Sequence, residues 1–151
     1  MKVKARIQVL LVEDNAGDVR LTIEAFREAN GSIVLHVATD GVEAMDFLQR
    51  RGKAYADAPR PDLILLDLNL PRMDGREVLS RIKSDSDLRL IPTIILTTSE
   101  SHADVQTGYK LNANCYLNKP VQFDVFESLV RSINEFWLTK AILPHSRTDE
   151  R

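Results

Sequence analysis

The chain has 151 residues, 44% apolar and 28% charged, enough for one domain that buries about 70% of its unfolded surface without staples. Lys plus Arg is 20 against 22 Asp plus Glu, a formal charge of −2, which lacks the basic field of a nucleic-acid binder, so no nucleic-acid partner is expected. The single cysteine, Cys115, excludes an internal disulfide and a Cys-based zinc site and fits a reducing compartment. Residues 1–6 are basic, and the apolar run Ile7–Val12 stops at Glu13-Asp14. That run is too short for a signal core or a membrane span and reads as a buried strand. A cytoplasmic protein with no membrane contact is the expectation.

Further short aliphatic runs occupy residues 33–37, 63–66, 93–96 and, more weakly, 115–117. Several are apolar at successive positions, the pattern of strands covered on both faces. The segments between them open on helix-start pairs: Asn15 with Asp18, Asp40 with Glu43, Asp74 with Glu77, Ser101 with Asp104. Inward faces follow at helical spacing, as Val19, Ile23 and Phe26, then Val42, Met45 and Leu48, then Val78, Leu79 and Ile82. A polar loop with Gly52, Pro59 and Pro61 spans residues 51–61, and a last helix is predicted over 123–140 with Phe126, Leu129, Val130, Ile133 and Trp137 inward. Five strands alternating with five helices predict a doubly wound α/β fold on a parallel sheet. A domain over 1–140 and a C-terminal tail over 141–151 are expected, loose from Pro144 on, where no apolar periodicity remains.

In open α/β sheets, sites form at the carboxyl ends of strands. The residues there are Glu13 and Asp14, then Asp67 with Leu68-Asn69, then Thr97-Thr98-Ser99, then Asn118-Lys119-Pro120. In the order 2-1-3-4-5 these would converge on one edge. Two carboxylates about 5 Å apart repel by roughly 3 kcal/mol at an effective dielectric near 20, so the cluster calls for a cation or a held proton. The candidate ligands, Asp14, Asp67, the Asn69 carbonyl and Glu13 through water, are all hard oxygens, which suits Mg²⁺. A phosphoryl group between that ion and Lys119, with Thr97 donating its hydroxyl and Asp67 as nucleophile, would be a phosphoryl-transfer arrangement. Each residue alone has a commoner use. Asp67 could form a turn, Glu13-Asp14 could be a solvated pair, Thr97 to Ser99 could start a helix, and Lys119-Pro120 could be an ordinary turn. Their joint placement at four strand ends is what points to the chemistry.

Taken in order, Glu13-Asp14, Asp67, Thr97 and Lys119-Pro120 resemble the receiver domains of two-component response regulators. Residues 62–75, with Asp67-Leu68-Asn69 and Pro71-Arg72-Met73-Asp74-Gly75, are similar to that family's phosphoacceptor loop, and Leu96-Thr97-Thr98-Ser99 and Tyr116-Leu117-Asn118-Lys119-Pro120 to its other signatures. The resemblance runs from about Arg6 to Lys140. It implies a flavodoxin-like fold, and it implies that Asp67 takes a phosphoryl group from a histidine kinase. It gives Asp14, Asp67, the Asn69 carbonyl and, through water, Glu13 to Mg²⁺, and Lys119 to the phosphate, before a cis Lys119-Pro120 bond. Thr97 and Tyr116 become a switch pair. Two departures stand out: Glu13 replaces the Asp of many receivers, and Thr98 replaces a smaller residue, which would narrow water's path to Asp67 and slow dephosphorylation.

The loop with Asp57-Ala58-Pro59-Arg60-Pro61, the Asn114-Cys115-Tyr116 run and the ending Phe136-Trp137-Leu138 resemble the single-domain regulators of cyanobacterial phytochromes. That resemblance implies a phytochrome-type kinase partner and a homodimer through the fourth helix, fifth strand and fifth helix. Val125, Phe136 and Leu138, with Ile142 and Leu143, exceed one core face, so they are read as exposed surface for a second chain, or as a helix end folded over its own domain. Too few residues follow Lys140 for an output domain, so output by protein contact with an unidentified target, or a place as an intermediate in a phosphorelay, is expected. Rival readings fare worse. A nucleotide fold needs a Gly-rich first turn, absent in Glu13-Asp14-Asn15-Ala16-Gly17, and an aspartate phosphatase usually needs Asp-x-Asp, where this chain has Asp67-Leu68-Asn69. A receiver-like binding module independent of phosphorylation would be expected to have lost Asp67 or Lys119, and both are present. The protein is thus read as a phosphoacceptor with self-phosphorylation and autodephosphorylation chemistry, not as an enzyme acting on other substrates. His36, His102 and His145 share no evident site and are given no metal role.

Overall fold

The computed structural model describes residues 6–29 and 32–144. Five strands, β1 (Ile7–Val12), β2 (Ile33–Ala38), β3 (Leu63–Leu66), β4 (Thr93–Thr97) and β5 (Cys115–Asn118), form one parallel sheet in the order β2-β1-β3-β4-β5. Five helices alternate with them: α1 (Ala16–Ala29), α2 (Gly41–Gln49), α3 (Gly75–Ser84), α4 (His102–Lys110) and α5 (Phe123–Glu135). This is the doubly wound, flavodoxin-like fold expected. Among the described residues no helix is long and apolar enough to cross a membrane.

The unbroken apolar runs have a simple cause. Successive strand residues point to opposite faces, and helices cover both. Leu10, Val12, Ile64, Leu66 and Ile95 face α2 and α3, where Met45, Val78, Leu79 and Ile82 meet them. Val9, Leu11, Leu63, Leu65, Ile94 and Leu96 face the other way, toward Phe26 of α1 and Phe126, Val130 and Ile133 of α5. Burying each such side chain contributes about 1.5–3 kcal/mol. The fifth run is weak because β5 is an edge strand, with Cys115, Tyr116 and Leu117 only half-buried.

The helix starts are largely as predicted. Asn15 Oδ1 accepts from the Asp18 N–H at 2.9 Å, Asp40 Oδ1 from Glu43 at 2.7 Å, and Ser101 Oγ from Asp104 at 3.1 Å. The Asp74 cap differs: it accepts from Arg76 rather than Glu77, at 2.9 Å, and Glu77 pairs instead with Arg81 one turn on. The predicted loop over 51–61 contains a 3₁₀ turn, Lys53–Tyr55.

Three expectations are corrected. The last α-helix ends at Glu135, and Phe136–Lys140 form a π turn closed by the Ala141 N–H on the Phe136 carbonyl at 2.8 Å. That wider turn changes the angular phase of the side chains. Leu138 thereby points inward, 6% exposed, and does not join Val125 and Phe136 on the surface. Leu143, 7% exposed, folds back onto the same core with Ala141 beside it, the arrangement of the second reading given above for this helix end. The rest of the expected tail, with His145, lies outside the described residues, as do residues 1–5 of the basic lead-in. The Lys119-Pro120 peptide is trans, the lower-energy isomer of an X–Pro bond; among the described residues none is cis.

Candidate functional site

The sheet registers bring the strand ends together. Val12 lies beside Leu66, and Thr97 beside Asn118. The ladder continues one residue further at each end: the Asp67 N–H donates to the Val12 carbonyl at 3.1 Å, Glu13 to Ala38 at 2.9 Å, and Lys119 to Thr97 at 2.6 Å. Glu13, Asp67, Thr97 and Lys119 are therefore held by the sheet and not by loops, and all four are buried. Asp14 is exposed at their rim. Beneath the loop after β3, Gly75 starts α3 so close to the chain that a Cβ would stand 2.2 Å from the Asp67 carbonyl oxygen.

Asp67 Oδ1 accepts the Thr97 hydroxyl at 2.8 Å and, at 3.4 Å, the Asn69 backbone N–H. Its Oδ2 lies 3.6 Å from the Lys119 ammonium. That ammonium is bonded instead to Glu13 Oε1, and to Asp18 Oδ2 at 3.0 Å. Glu13's other oxygen accepts the Asn15 N–H at 3.1 Å. Burial pushes the Glu13 carboxyl up to about 7, against the opposing pull of its bonds to Lys119 and Asn15, while the Asp67 charge adds to the rise. Burial also works against the Lys119 ammonium, but the Glu13 hydrogen bond and the Asp67 and Glu13 charges outweigh it and hold the lysine above its ordinary value.

Carboxylate oxygens of Glu13, Asp14 and Asp67 all lie within 4.8 Å of one another. Such a donor set fits a hard divalent cation, whose charge would offset the mutual repulsion of three acids. Both Glu13 oxygens already have protein partners, the Asn15 N–H and Lys119. Asp14 and Asp67 are the carboxylates open to direct ligation.

The predicted switch residues are placed apart. Thr97 is on Asp67, while the half-buried Tyr116 donates its hydroxyl to the Ser99 carbonyl at 2.9 Å. Burial raises the Tyr116 pKa. A chain of contacts absent from the sequence reading runs behind this loop: Ser99 Oγ meets Asp104 Oδ2 at 2.5 Å, and Asp104 Oδ1 accepts from Arg76 of α3 at 2.7 Å. The Ser99 and Arg76 bonds hold the Asp104 carboxyl below the usual carboxylate range. Asp18 was likewise read only as part of a helix start. The one sequence signal for its second role is an acid in the first turn of a helix that follows a strand-end acid pair. The two described histidines sit away from the site: His36 Nε2 pairs with Gln8 Oε1 at 2.7 Å in the sheet, and His102 is exposed at the start of α4. Val125 and Phe136 are 46% and 56% exposed, and Trp137 stacks edge-on against Phe136 at 5.4 Å.

Residues 9–131 match the response regulator receiver domain family. The response regulator Rcp1 of Synechocystis sp. is 46% identical over 136 residues, covering 90% of this chain and 92% of Rcp1. The probable methanogenesis regulatory protein FilR2 of Methanothrix harundinacea is 40% identical over 130 residues, covering 86% of this chain and 83% of that one. Among solved structures, the phosphorylated cyanobacterial phytochrome response regulator RcpA superposes with a TM-score of 0.90 at 46% identity, covering 93% of this chain and 100% of that one. The Mn²⁺-bound form of Rcp1 gives 0.88 at 45% identity, covering 92% and 99%. With its strand-end acids, buried threonine and buried lysine in one cluster, the chain belongs to the response regulator receiver domains and is related to the phytochrome response regulators.

Proposed function

We propose that Asp67 accepts a phosphoryl group from the phosphohistidine of a sensor histidine kinase of the phytochrome type, in the cytoplasm, and that the loaded protein signals by protein contact. One observation carries the reading: a buried carboxylate at the end of β3 is met by a buried hydroxyl at 2.8 Å and a buried ammonium at 3.6 Å, with two further acids alongside. An Asp67 oxygen attacks phosphorus, an O–P bond forms, and the N–P bond breaks with its electron pair returning to the imidazole nitrogen. Mg²⁺, held by Asp14, Asp67 and the Asn69 carbonyl with Glu13 through water, would neutralise charge on the phosphoryl oxygens when bound. Lys119 supplies positive charge from the opposite side, and Thr97 exchanges its bond to Asp67 for one to a phosphoryl oxygen. Water attack on the acyl phosphate resets the protein, and the exposed Thr98 beside Thr97 restricts that approach.

The switch follows from the same contacts. When Thr97 moves toward the phosphate, Tyr116 turns from Ser99 into the space Thr97 vacates. Two packing arrangements with different phosphate contacts form a two-state equilibrium. Gly108 leaves Tyr116 room on one side, since a Cβ there would come within 3.0 Å of its ring. Output is a homodimer through α4, β5 and α5, with Val125 of α5 and Phe136 of the π turn after it exposed, and a further protein target. A binding module indifferent to phosphorylation would have no use for this buried set.

Acetyl phosphate with Mg²⁺ should add one alkali-labile phosphate per chain, read by intact mass, and Asp67→Asn should take none. Full labelling of that variant would move the acceptor elsewhere. Phosphotransfer from candidate kinases under red and far-red light tests the partner, and sedimentation at micromolar concentration tests the dimer.

A further inference from the structure

A lysine ammonium has three N–H donors. In this structure Glu13 Oε1 takes one and Asp18 Oδ2, at 3.0 Å, takes another. Asp67 Oδ2 is at 3.6 Å, beyond hydrogen-bonding distance. The cation that serves the phosphoryl group thus leans away from the acceptor, toward an acid on α1.

Asp18 is well placed to hold it there. Its N–H is bonded to Asn15 Oδ1 at 2.9 Å and its carbonyl accepts the Thr22 hydroxyl at 2.7 Å, which fixes the first turn of α1. Its side chain is 30% exposed, whereas that of Glu13 is 4% exposed. Releasing the lysine from Glu13 would strand a buried acid. Releasing it from Asp18 leaves a carboxylate that water can solvate. Asp18 is therefore the partner that can yield.

We propose that Asp18 is a positioning residue that competes with the phosphoryl group for the Lys119 ammonium, and so sets how readily Asp67 is loaded. The inference rests on the phosphoacceptor reading above. A phosphoryl group on Asp67 brings a second strong acceptor and more negative charge within reach of the same ammonium, which lies 3.6 Å from the Asp67 carboxylate. Asp18 opposes loading twice, by occupying a donor and by repelling the incoming charge. Its removal has the opposite sign from removal of Lys119.

The test uses the full chain with saturating Mg²⁺ and beryllofluoride, a phosphoryl mimic, with binding followed by ¹⁹F NMR. Asp18→Asn should bind about three- to fivefold more tightly than wild type, the range a part-exposed ion pair supports. Asp18→Glu, which keeps the charge, should return affinity toward wild type. In a Lys119→Ala background the Asp18→Asn gain should vanish. Equal or weaker binding by Asp18→Asn, the same gain in Asp18→Glu, or an undiminished gain without the lysine would overturn the competition. Wild type that takes neither beryllofluoride nor acetyl phosphate at Asp67 would overturn the phosphoacceptor reading as well, so the two failures are distinguishable.

Discussion

Replacing Lys119 with Met removes a buried charge and keeps most of the volume. In the native protein this ammonium is bonded to Glu13 and to Asp18, with Asp67 at 3.6 Å. Without it, Glu13, 3% exposed, keeps only the Asn15 N–H at 3.1 Å. Deleting one partner of a buried pair costs about 3–5 kcal/mol while the survivor stays ionised. Glu13 can avoid that by taking a proton. Burial already holds its carboxyl at about 7 against an ordinary 4.5, and the Lys119 hydrogen bond is the strongest influence keeping it from rising further. A carboxyl whose folded pKa is raised binds a proton that the unfolded chain has released. Stability therefore falls as pH rises from the unfolded value through the folded one. In wild type that fall ends near 7; in the variant it continues higher. The Lys119 pKa is raised from 10.5, so its own contribution is fully present below 10.5 and does not tilt the comparison. Lys119→Met should cost about 1 kcal/mol near pH 5.5, where Glu13 is protonated in both proteins, and about 3 kcal/mol near pH 8.5. For a domain of this size those costs lower Tm by about 2–4 °C and about 6–12 °C. Urea and thermal unfolding in metal-free buffer measure both. A penalty that is the same at the two pH values, or larger at the acid one, refutes the assignment of Glu13 as the group left stranded.

Gly75→Ala would force a Cβ to within 2.2 Å of the Asp67 carbonyl oxygen; about 3 kcal/mol of destabilisation is expected in urea, with slower acetyl-phosphate labelling because the acceptor loop must move. Asp104→Ala removes the acid shared by Ser99 and Arg76, so hydrogen exchange should quicken over residues 99–104 and leave β3 unchanged. Leu143→Ala should cost about 2 kcal/mol in urea if the segment after Lys140 is packed as described, and close to nothing if it is a free tail.

Local pattern carried the architecture. Apolar runs at successive positions mean strands covered on both faces wherever they occur, and helix caps act within three or four residues. Given the order 2-1-3-4-5 that the receiver resemblance implies, the convergence of Glu13, Asp14, Asp67, Thr97 and Lys119 follows, because the sheet fixes the residues at its strand ends. Leu138 was misread for a local reason of another kind: the π turn after Glu135 breaks the 3.6-residue period on which the facing was counted.

What the amino-acid order alone determined is which groups stand at the strand ends, not that Asp18 of α1 joins them. Which of them touch was decided only by the folded chain. Lys119 has three acids near its ammonium, Glu13, Asp18 and Asp67, and the folded chain bonds it to the first two, one of them on α1. The Arg76–Asp104 bridge likewise depends on the spacing of α3 and α4. Such pairs lie 101, 106 or 28 residues apart, and no periodicity reaches across that distance. They arise from crossover geometry, in which a shift of an ångström exchanges one carboxylate for another.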